Sequence, residues 1–386
     1  MTDVFLYDAV RTPRGKARPD GGLADLSPQE LVRTQIAALK DRCGGAAGKA
    51  EALLLGCVTQ SGAQGAHIAL ISKLHSGLDD SLSAHTINNY CASGLSAIGH
   101  AVAMVGSGQA DAVLAGGVEM MSRTPFMSDQ ASYYSDQTLP QRARYIPPVL
   151  AADRLANAEG LARGALDAVA LASQQKAAAA DADPQLQRSR IATGKLSGEE
   201  CIRPTTTAES LAAAAPAFGA LQADFAAALG DARFDPLHTL AHAPPICDGA
   251  ALALVGGAGT GERPRARVLA YAESGGDPEA SLTAGLAAMD KVLARTGLRL
   301  GQIDRTEFME AFAVTIAKFL RDRQPDPARV NVGGGHLAKG HPMGATGAIL
   351  TSTLLDALDA ASGSLGLVVA TGATGVGAAM IVERLN

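Results

Sequence analysis

Apolar residues gather in short, nearly unbroken runs at positions 4–10, 52–57, 112–115, 268–272 and 365–370, with a more polar run at 305–309. Runs without polar alternation predict strands covered on both faces, in a parallel or mixed sheet between helices. Helix-period stretches lie between them. One runs from Pro28 to Leu39 behind the N-cap Ser27; others cover 66–74, the stretch from Leu95 to Val105, 284–296, 310–320 and 344–358. Strands alternating with helices place the chain in the α/β class. From about 120 to 245 the pattern breaks. Positions 122–148 are irregular and rich in Tyr and Pro, 151–180 are Ala-rich and helical, and Arg203-Pro204-Thr205 and Phe234-Asp235-Pro236-Leu237 read as loops. An excursion of this length predicts an inserted lid or substrate domain.

The last third echoes the first. In each, a corner opens an Ala-rich helix followed by a strand that ends in glycine: Cys91 with Val113-Leu114-Ala115-Gly116-Gly117, and His341 with Val368-Val369-Ala370-Thr371-Gly372. An internal duplication accounts for this and brings the strand ends of both halves to one site. Cys91 follows the short strand Ala84-His85-Thr86-Ile87 and is expected on the first turn of the next helix. The free N–H groups and dipole there favour thiolate over thiol and stabilise an oxyanion on an attacked carbonyl. Taken alone, the position reads equally as a buried structural cysteine. His341 lies in Asn331-Val332-Gly333-Gly334-Gly335-His336-Leu337-Ala338-Lys339-Gly340-His341-Pro342-Met343-Gly344, immediately before Pro342 at the start of a predicted helix. Glycines this dense let backbone approach a ligand closely and create no structural need for imidazole, a capped loop histidine being the alternative. Paired across the pseudo-twofold axis, the two form a Cys–His couple, which generates a thiolate nucleophile.

Composition narrows the class. At 386 residues the chain exceeds one ordinary core, so two or three domains are expected. Mean hydropathy is +0.11, carried by Ala and Val rather than by aromatics, which make up 4%, with no Trp. No apolar run is long enough to span a bilayer, and Met1-Thr2-Asp3-Val4-Phe5-Leu6-Tyr7 reads as a strand rather than a secretory leader. Cysteines 43, 57, 91, 201 and 247 show neither paired nor metal-ligand spacing, which fits a reducing cytoplasm and no metal. A net charge of −5 with dispersed basic residues leaves no footprint for nucleic acid or an anionic membrane.

Several ordered motifs together resemble the thiolase family of CoA-dependent acyltransferases. They are Val10-Arg11-Thr12-Pro13, residues 88–95, Ala115-Gly116-Gly117-Val118-Glu119-Met120-Met121-Ser122, Ser173-Gln174-Gln175-Lys176-Ala177, Cys247-Asp248-Gly249-Ala250-Ala251, Glu310-Ala311-Phe312-Ala313 and Gly340-His341-Pro342-Met343-Gly344-Ala345. The resemblance implies two duplicated α/β halves in five layers, α-β-α-β-α, with an inserted loop domain that carries CoA. It divides the chain into 1–119, an insert at 120–246 with 247–266 returning to the first half, and 267–386. It further implies an acyl thioester on Cys91, activation by His341, CoA and acyl-CoA as substrates with no permanently bound cofactor, and a homodimer or dimer of dimers.

Three positions depart from the family pattern. The family's second cysteine, an acid/base, falls on Thr371, whose hydroxyl titrates far too high to replace a thiol. The Asn or His before Glu-Ala-Phe falls on Met309, and a Ser that contacts pantetheine falls on Pro244. His336 stands where a small residue is usual, as a compensating proton shuttle or a polar filler. Gly344 and Ala373 complete the expected substrate and oxyanion region. Arg188, Arg190 and Lys195 are candidate phosphate contacts, or equally a solvated basic loop. The aromatics of 122–148 shape either the acyl pocket or an oligomer contact. Thiolysis of a 3-oxoacyl-CoA, or its Claisen reverse, is the leading expectation; the alternatives are a condensing enzyme without thiolytic activity and a CoA-binding subunit of an active homologue.

Overall fold

The structure, a computed structural model, describes residues 2–261 and 263–385. Predicted spans ending at Met1 and Asn386, and Glu262 within the returning segment, reach outside these residues. The first half comprises β1 (Phe5–Arg11), β2 (Gly15–Lys16), α1 (Pro28–Cys43), β3 (Ala52–Gly56), α2 (Ile68–His75), β4 (Ser83–Ile87), α3 (Ser93–Gly106) and β5 (Ala112–Met120). The excursion carries α4 (Pro148–Ala158), α5 (Arg163–Ala180) and the short helices α6 (Ala208–Ala212), α7 (Leu221–Asp224) and α8 (Ala226–Leu229). Then β6 (Cys247–Gly256) returns to the first sheet. The second half comprises β7 (Ala266–Gly275), α9 (Ala284–Thr296), β8 (Arg305–Phe308), α10 (Ala313–Arg323), α11 (His336–Lys339), α12 (Thr346–Ala361), β9 (Leu365–Gly372) and β10 (Val376–Arg384).

Strand order makes the duplication explicit. The first half runs β4-β3-β5-β6-β1, and the second repeats it as β8-β9-β10-β7. In both, an outer parallel pair (β3 with β5, β8 with β9) is followed by antiparallel partners. Where β4 flanks β3, the second half keeps only a parallel bridge, Thr306 to Val330. The two sheets touch through β1 and β7, paired only at Phe5–Arg267 and Leu6–Ala266.

Alternating side chains set the layers. Leu53 and Leu55 of β3 face α1 and α2, packing with Leu31, Ile36 and Ile68. Leu54, between them in sequence, faces the central layer, where Leu95 and Ile98 of α3 and Leu350 and Leu354 of α12 lie. In β9, Val368 joins that central core and Val369 joins the outer one with Met289, Val292, Ile316 and Phe319 of α9 and α10. The result is α-β-α-β-α. The two central helices pack at glycine distance: a Cβ on Gly94 would lie 2.7 Å from the Gly344 carbonyl oxygen, and one on Gly347 2.3 Å from the Leu95 nitrogen.

Four sequence expectations need correction. The helical stretch at 151–180 is two helices, broken near Gly160 at φ 62°. The helix expected from Glu310 begins at Ala313, because Phe312 is extended and the Glu310 carboxylate serves other backbone. The helix expected from Gly344 begins at Thr346 after a 3₁₀ turn at Met343–Ala345. Besides the two-residue β2, two longer strands, β6 and β10, had no prediction. Both begin on Ala- and Gly-rich texture with few β-branched residues, and Gly377 in β10 has no room for a Cβ, which would lie 2.3 Å from the Ala284 carbonyl carbon.

Candidate active site

Cys91 sits two residues ahead of α3 rather than on its first turn. The corner is strained: Tyr90 has φ 46°, a conformation that costs a bulky residue about 1–3 kcal/mol. A local network holds it. The Asn88 side chain donates to the Val58 carbonyl at 3.0 Å and accepts from the Tyr90 N–H at 3.0 Å. Ser93 Oγ accepts from the Asn89 N–H at 2.8 Å and donates to the Tyr90 carbonyl. Asn89 reaches Ser96 Oγ at 3.0 Å. The strain therefore fixes where the thiol stands.

His341 is likewise ahead of its helix, not at its start. Its N–H donates to the Pro245 carbonyl at 2.9 Å, bridging it to the strand that returns from the excursion. Its Nδ1 lies 2.7 Å from the Thr346 hydroxyl, which fixes the ring and leaves Nε2 for chemistry. Cys91 and His341 open onto one cavity of about 470 Å³, with Pro244 and Ala373 in the same wall. The chain thus brings together four of the predicted residues.

The other predicted residues stand elsewhere. Gly344 is buried and its N–H is already given to Glu119 Oε2 at 3.0 Å, so it is not a substrate donor. Thr371 is 1% exposed, its hydroxyl has no partner, and its N–H points at Met309 Sδ at 3.4 Å. Neither residue lines the cavity. His336 is fully buried with both ring nitrogens unpartnered, edge-on to His341 with centroids 5.5 Å apart. Arg188, Arg190 and Lys195 are paired with Asp359, Asp181 and Asp25, away from the cavity.

Electrostatics reverse the expectation of a resting thiolate. Burial pushes the Cys91 thiol up to about 12, and the nearby Glu119 carboxylate adds to the rise. The opposing pull of a backbone N–H is smaller. Burial, with the Arg14 guanidinium second, draws His341 down to about 3. The pair therefore rests as thiol and neutral imidazole. Such a couple passes its proton as the sulfur attacks rather than storing a thiolate beforehand. Arg14 owes its place to Glu199 at 3.1 Å, which also holds Arg11 at 2.6 Å, and it reaches the Gly340 carbonyl at 3.4 Å.

Two buried carboxylates organise this region and had no role in the sequence reading. Glu119 accepts from the N–H groups of Val58 (2.9 Å), Thr59 (3.1 Å) and Gly344 (3.0 Å), and from Gln64 Nε2 (2.7 Å). It ties the loop after β3 to the His341 loop of the other half. Glu310 accepts from Ser173 Oγ (2.7 Å), the Asn331 side chain (3.0 Å) and the Leu337 N–H (3.1 Å), fixing the Gly-rich loop against α5. For Glu119 the available signal was a lone carboxylate near the end of an apolar strand; Glu310, after the more polar β8, offered none.

A duplicated α/β fold that presents a thiol and an imidazole from opposite halves to one apolar cavity defines an acyl-transfer enzyme. The chain belongs to the thiolase family. The thiolase N-terminal domain model matches residues 4–256 and the thiolase C-terminal domain model residues 262–384. It is similar to the beta-ketoadipyl-CoA thiolase of Pseudomonas putida, 33% identical, with 100% of each chain covered. It is also similar to the 3-oxoadipyl-CoA/3-oxo-5,6-dehydrosuberyl-CoA thiolase (32%) and the acetyl-CoA acetyltransferase (33%) of Escherichia coli K12, again over 100% of each chain. The protein is an acyl-CoA acyltransferase of the thiolase and acetyl-CoA acetyltransferase class. These likenesses do not favour the non-thiolytic or partner-subunit alternatives. Among the described residues, no helix is long and apolar enough to cross a membrane.

Proposed function

We propose that the protein cleaves a 3-oxoacyl-CoA with free CoA and runs the reverse condensation, Cys91 carrying the acyl group. The observation that supports this most is the shared cavity of Cys91 and His341. In the forward direction the Cys91 proton passes to His341 Nε2 as the sulfur attacks the C3 carbonyl. The Cα–Cβ bond then breaks, leaving the acyl group as a thioester on Cys91 and the two-carbon fragment as the enolate of acetyl-CoA. The imidazolium returns its proton to that enolate. Free CoA then loses its thiol proton to His341 and attacks the thioester, and the released Cys91 thiolate takes the proton back. One imidazole thus serves each proton transfer, in a site where Thr371 replaces the family's second cysteine and is sealed from the cavity.

Residues 120–246 are the proposed CoA-carrying insert between halves at 1–119 and 267–386, with 247–266 belonging to the first. A second depression of about 670 Å³ is lined by Ala217, whose neighbour in the chain, Phe218, lines the cavity. Arg203, exposed and without an acidic partner among the described residues, lines it beside Thr205, Thr206 and Ser210. We assign the nucleotide phosphates of CoA to this depression in place of Arg188, Arg190 and Lys195. The free edge of β4, beside the exposed Leu70, Ile71 and Leu74 of α2, fits a cytoplasmic homodimer. No permanently bound cofactor enters this scheme. The test is thiolysis of acetoacetyl-CoA by free CoA, followed as loss of enolate absorbance, with Cys91→Ala as control. Turnover that depends on Cys91 supports the proposal; its absence while CoA still binds overturns it.

A further inference from the structure

The chain has only eight Phe and six Tyr. Seven of these fourteen rings line the single cavity that holds Cys91 and His341. A chain this poor in aromatics has spent half of them on one wall, where large rigid apolar faces bind ligands at low entropic cost. Tyr134 and Tyr145 meet edge-on with centroids 4.9 Å apart, and Tyr145 meets Phe225 at 6.2 Å. The wall is therefore preformed.

Two of its hydroxyls are taken up by the protein. The Tyr145 hydroxyl is directed at Met127 Sδ, 3.6 Å away, and the Tyr134 hydroxyl donates to Asp129 Oδ2 at 3.1 Å. Met121, Met127 and Met343 fill the gaps between the rings. No Lys, Arg, Asp or Glu is among the lining residues. A carboxylate stands on this side: Asp129 lies behind Tyr134, and its other oxygen is buried without a partner. Beta-ketoadipyl-CoA thiolases, which this chain resembles, are named for an acyl group that ends in a carboxylate. A carboxylate placed in this cavity meets no cation and faces a carboxylate behind the ring.

We infer that the cavity selects a neutral acyl chain with an apolar end, an aryl group best of all, and excludes one that ends in a carboxylate. This rests on the thiolase reading above and names its substrate class. Tyr134, Tyr145 and Phe225 are the specificity-determining wall, and Asp129 is a positioning residue that acts through Tyr134.

The experiment compares kcat/KM for thiolysis of 3-oxo-5-phenylpentanoyl-CoA and 3-oxoadipyl-CoA, with acetoacetyl-CoA as reference. The phenyl substrate is expected to lead by about 100-fold or more, the scale on which an unpaired buried polar group discriminates. A ratio within about threefold, or one favouring 3-oxoadipyl-CoA, overturns the inference. If acetoacetyl-CoA is not cleaved either, the thiolase reading has failed. Selectivity is then read from dissociation constants of the two thioesters on Cys91→Ala by calorimetry, with the same ratio expected. Asp129→Asn removes the charge behind the wall and is expected to narrow the ratio about threefold to tenfold through KM for 3-oxoadipyl-CoA; an unchanged ratio removes Asp129 from the argument.

Discussion

The two halves share strand order and sense, yet their corners are built differently. The first passes from β4 to Cys91 through Asn88-Asn89-Tyr90 and enters α3 at Ser93. The second leaves the Val330 bridge, turns at Asn331 with φ 45°, crosses three glycines and α11, and reaches His341 well ahead of α12. A short strained corner holds the thiol. A long Gly-rich loop, pinned by Glu310 and Glu119, holds the imidazole. Duplication supplied two equivalent places at the end of a sheet, and the chain has loaded them with complementary chemistry. The thiol needs one rigid position; the imidazole has to stay unprotonated, which burial and then the Arg14 charge secure.

Removing either partner tests this contrast with the largest effects. Cys91→Ala is expected to lower acetoacetyl-CoA thiolysis by about 10⁴-fold or more while leaving CoA binding within about twofold, measured by enolate absorbance and calorimetry. His341→Asn is expected to slow acylation of Cys91 by about 10²–10⁴-fold, read in a single-turnover experiment with acetyl-CoA and mass detection of the acyl enzyme. If His341→Asn acylated at the wild-type rate, the neutral-pair mechanism would be wrong.

The departure at the end of β9 sharpens the comparison by a smaller factor. Thr371→Cys puts a titratable thiol at the corresponding strand end, but one sealed from the cavity, and is expected to leave thiolysis within about twofold. A rise of about tenfold or more would mean that this strand end reaches the reacting atoms, and the single-imidazole scheme would be wrong. A fall together with restored activity in Thr371→Ser would point to packing beside Met309 instead.

The two buried carboxylates separate structure from chemistry. Glu119→Gln turns an amide toward four donors and is expected to lower stability by about 1–3 kcal/mol, because at least one N–H is left unsatisfied. It also loosens the join between the loop after β3 and Gly344, so kcat should drop. Glu310→Gln is expected to cost similar stability with a smaller loss of kcat, since its partners lie in α5 and the Gly-rich loop rather than across the catalytic pair. Thermal inactivation midpoints and kcat, measured on the same preparations, distinguish these patterns. Equal loss of kcat in both would remove the special place of Glu119.

Much of this arrangement was legible in the chain itself. Fully apolar runs marked β3 and the centre of β5, and the paired corners pointed to Cys91 and His341, because an imidazole in a Gly-rich turn has no packing reason to be there and the equivalent corner of the other half carries a thiol. What stayed hidden depends on tertiary surroundings. The strands β6 and β10 are Ala- and Gly-rich, and small residues are chosen there by what presses on them. The sign of the Cys91 shift was also out of reach: the helix end argues for thiolate, but burial and Glu119 outweigh it. Phe218 and Phe225 gave no hint that they share a wall with Tyr134, since the turns of the excursion bring them together.

His336 offers the smallest test, and it bears on why the second half keeps so dry a pocket. Its ring is fully buried beside His341 with no partner at either nitrogen. Burial, then the positive charge that a protonated His341, Arg14 and Lys339 carry, hold it well below its ordinary value. In the unfolded chain it takes up a proton near pH 6.5, while in the folded protein it stays neutral. Stability is therefore lost as pH falls below about 6.5, by at most about 1.4 kcal/mol per pH unit for one such group. His336→Leu removes that proton from the balance. Its unfolding free energy should fall less steeply between pH 6.5 and 5, while His341 and His242, drawn down in the same way, keep part of the slope. Near neutral pH the net change should be small, because a lost unsatisfied polar group offsets the imperfect fit of leucine. A large loss of kcat with an unchanged pH slope would instead make His336 a proton shuttle, and the single-imidazole scheme would have to be redrawn around two.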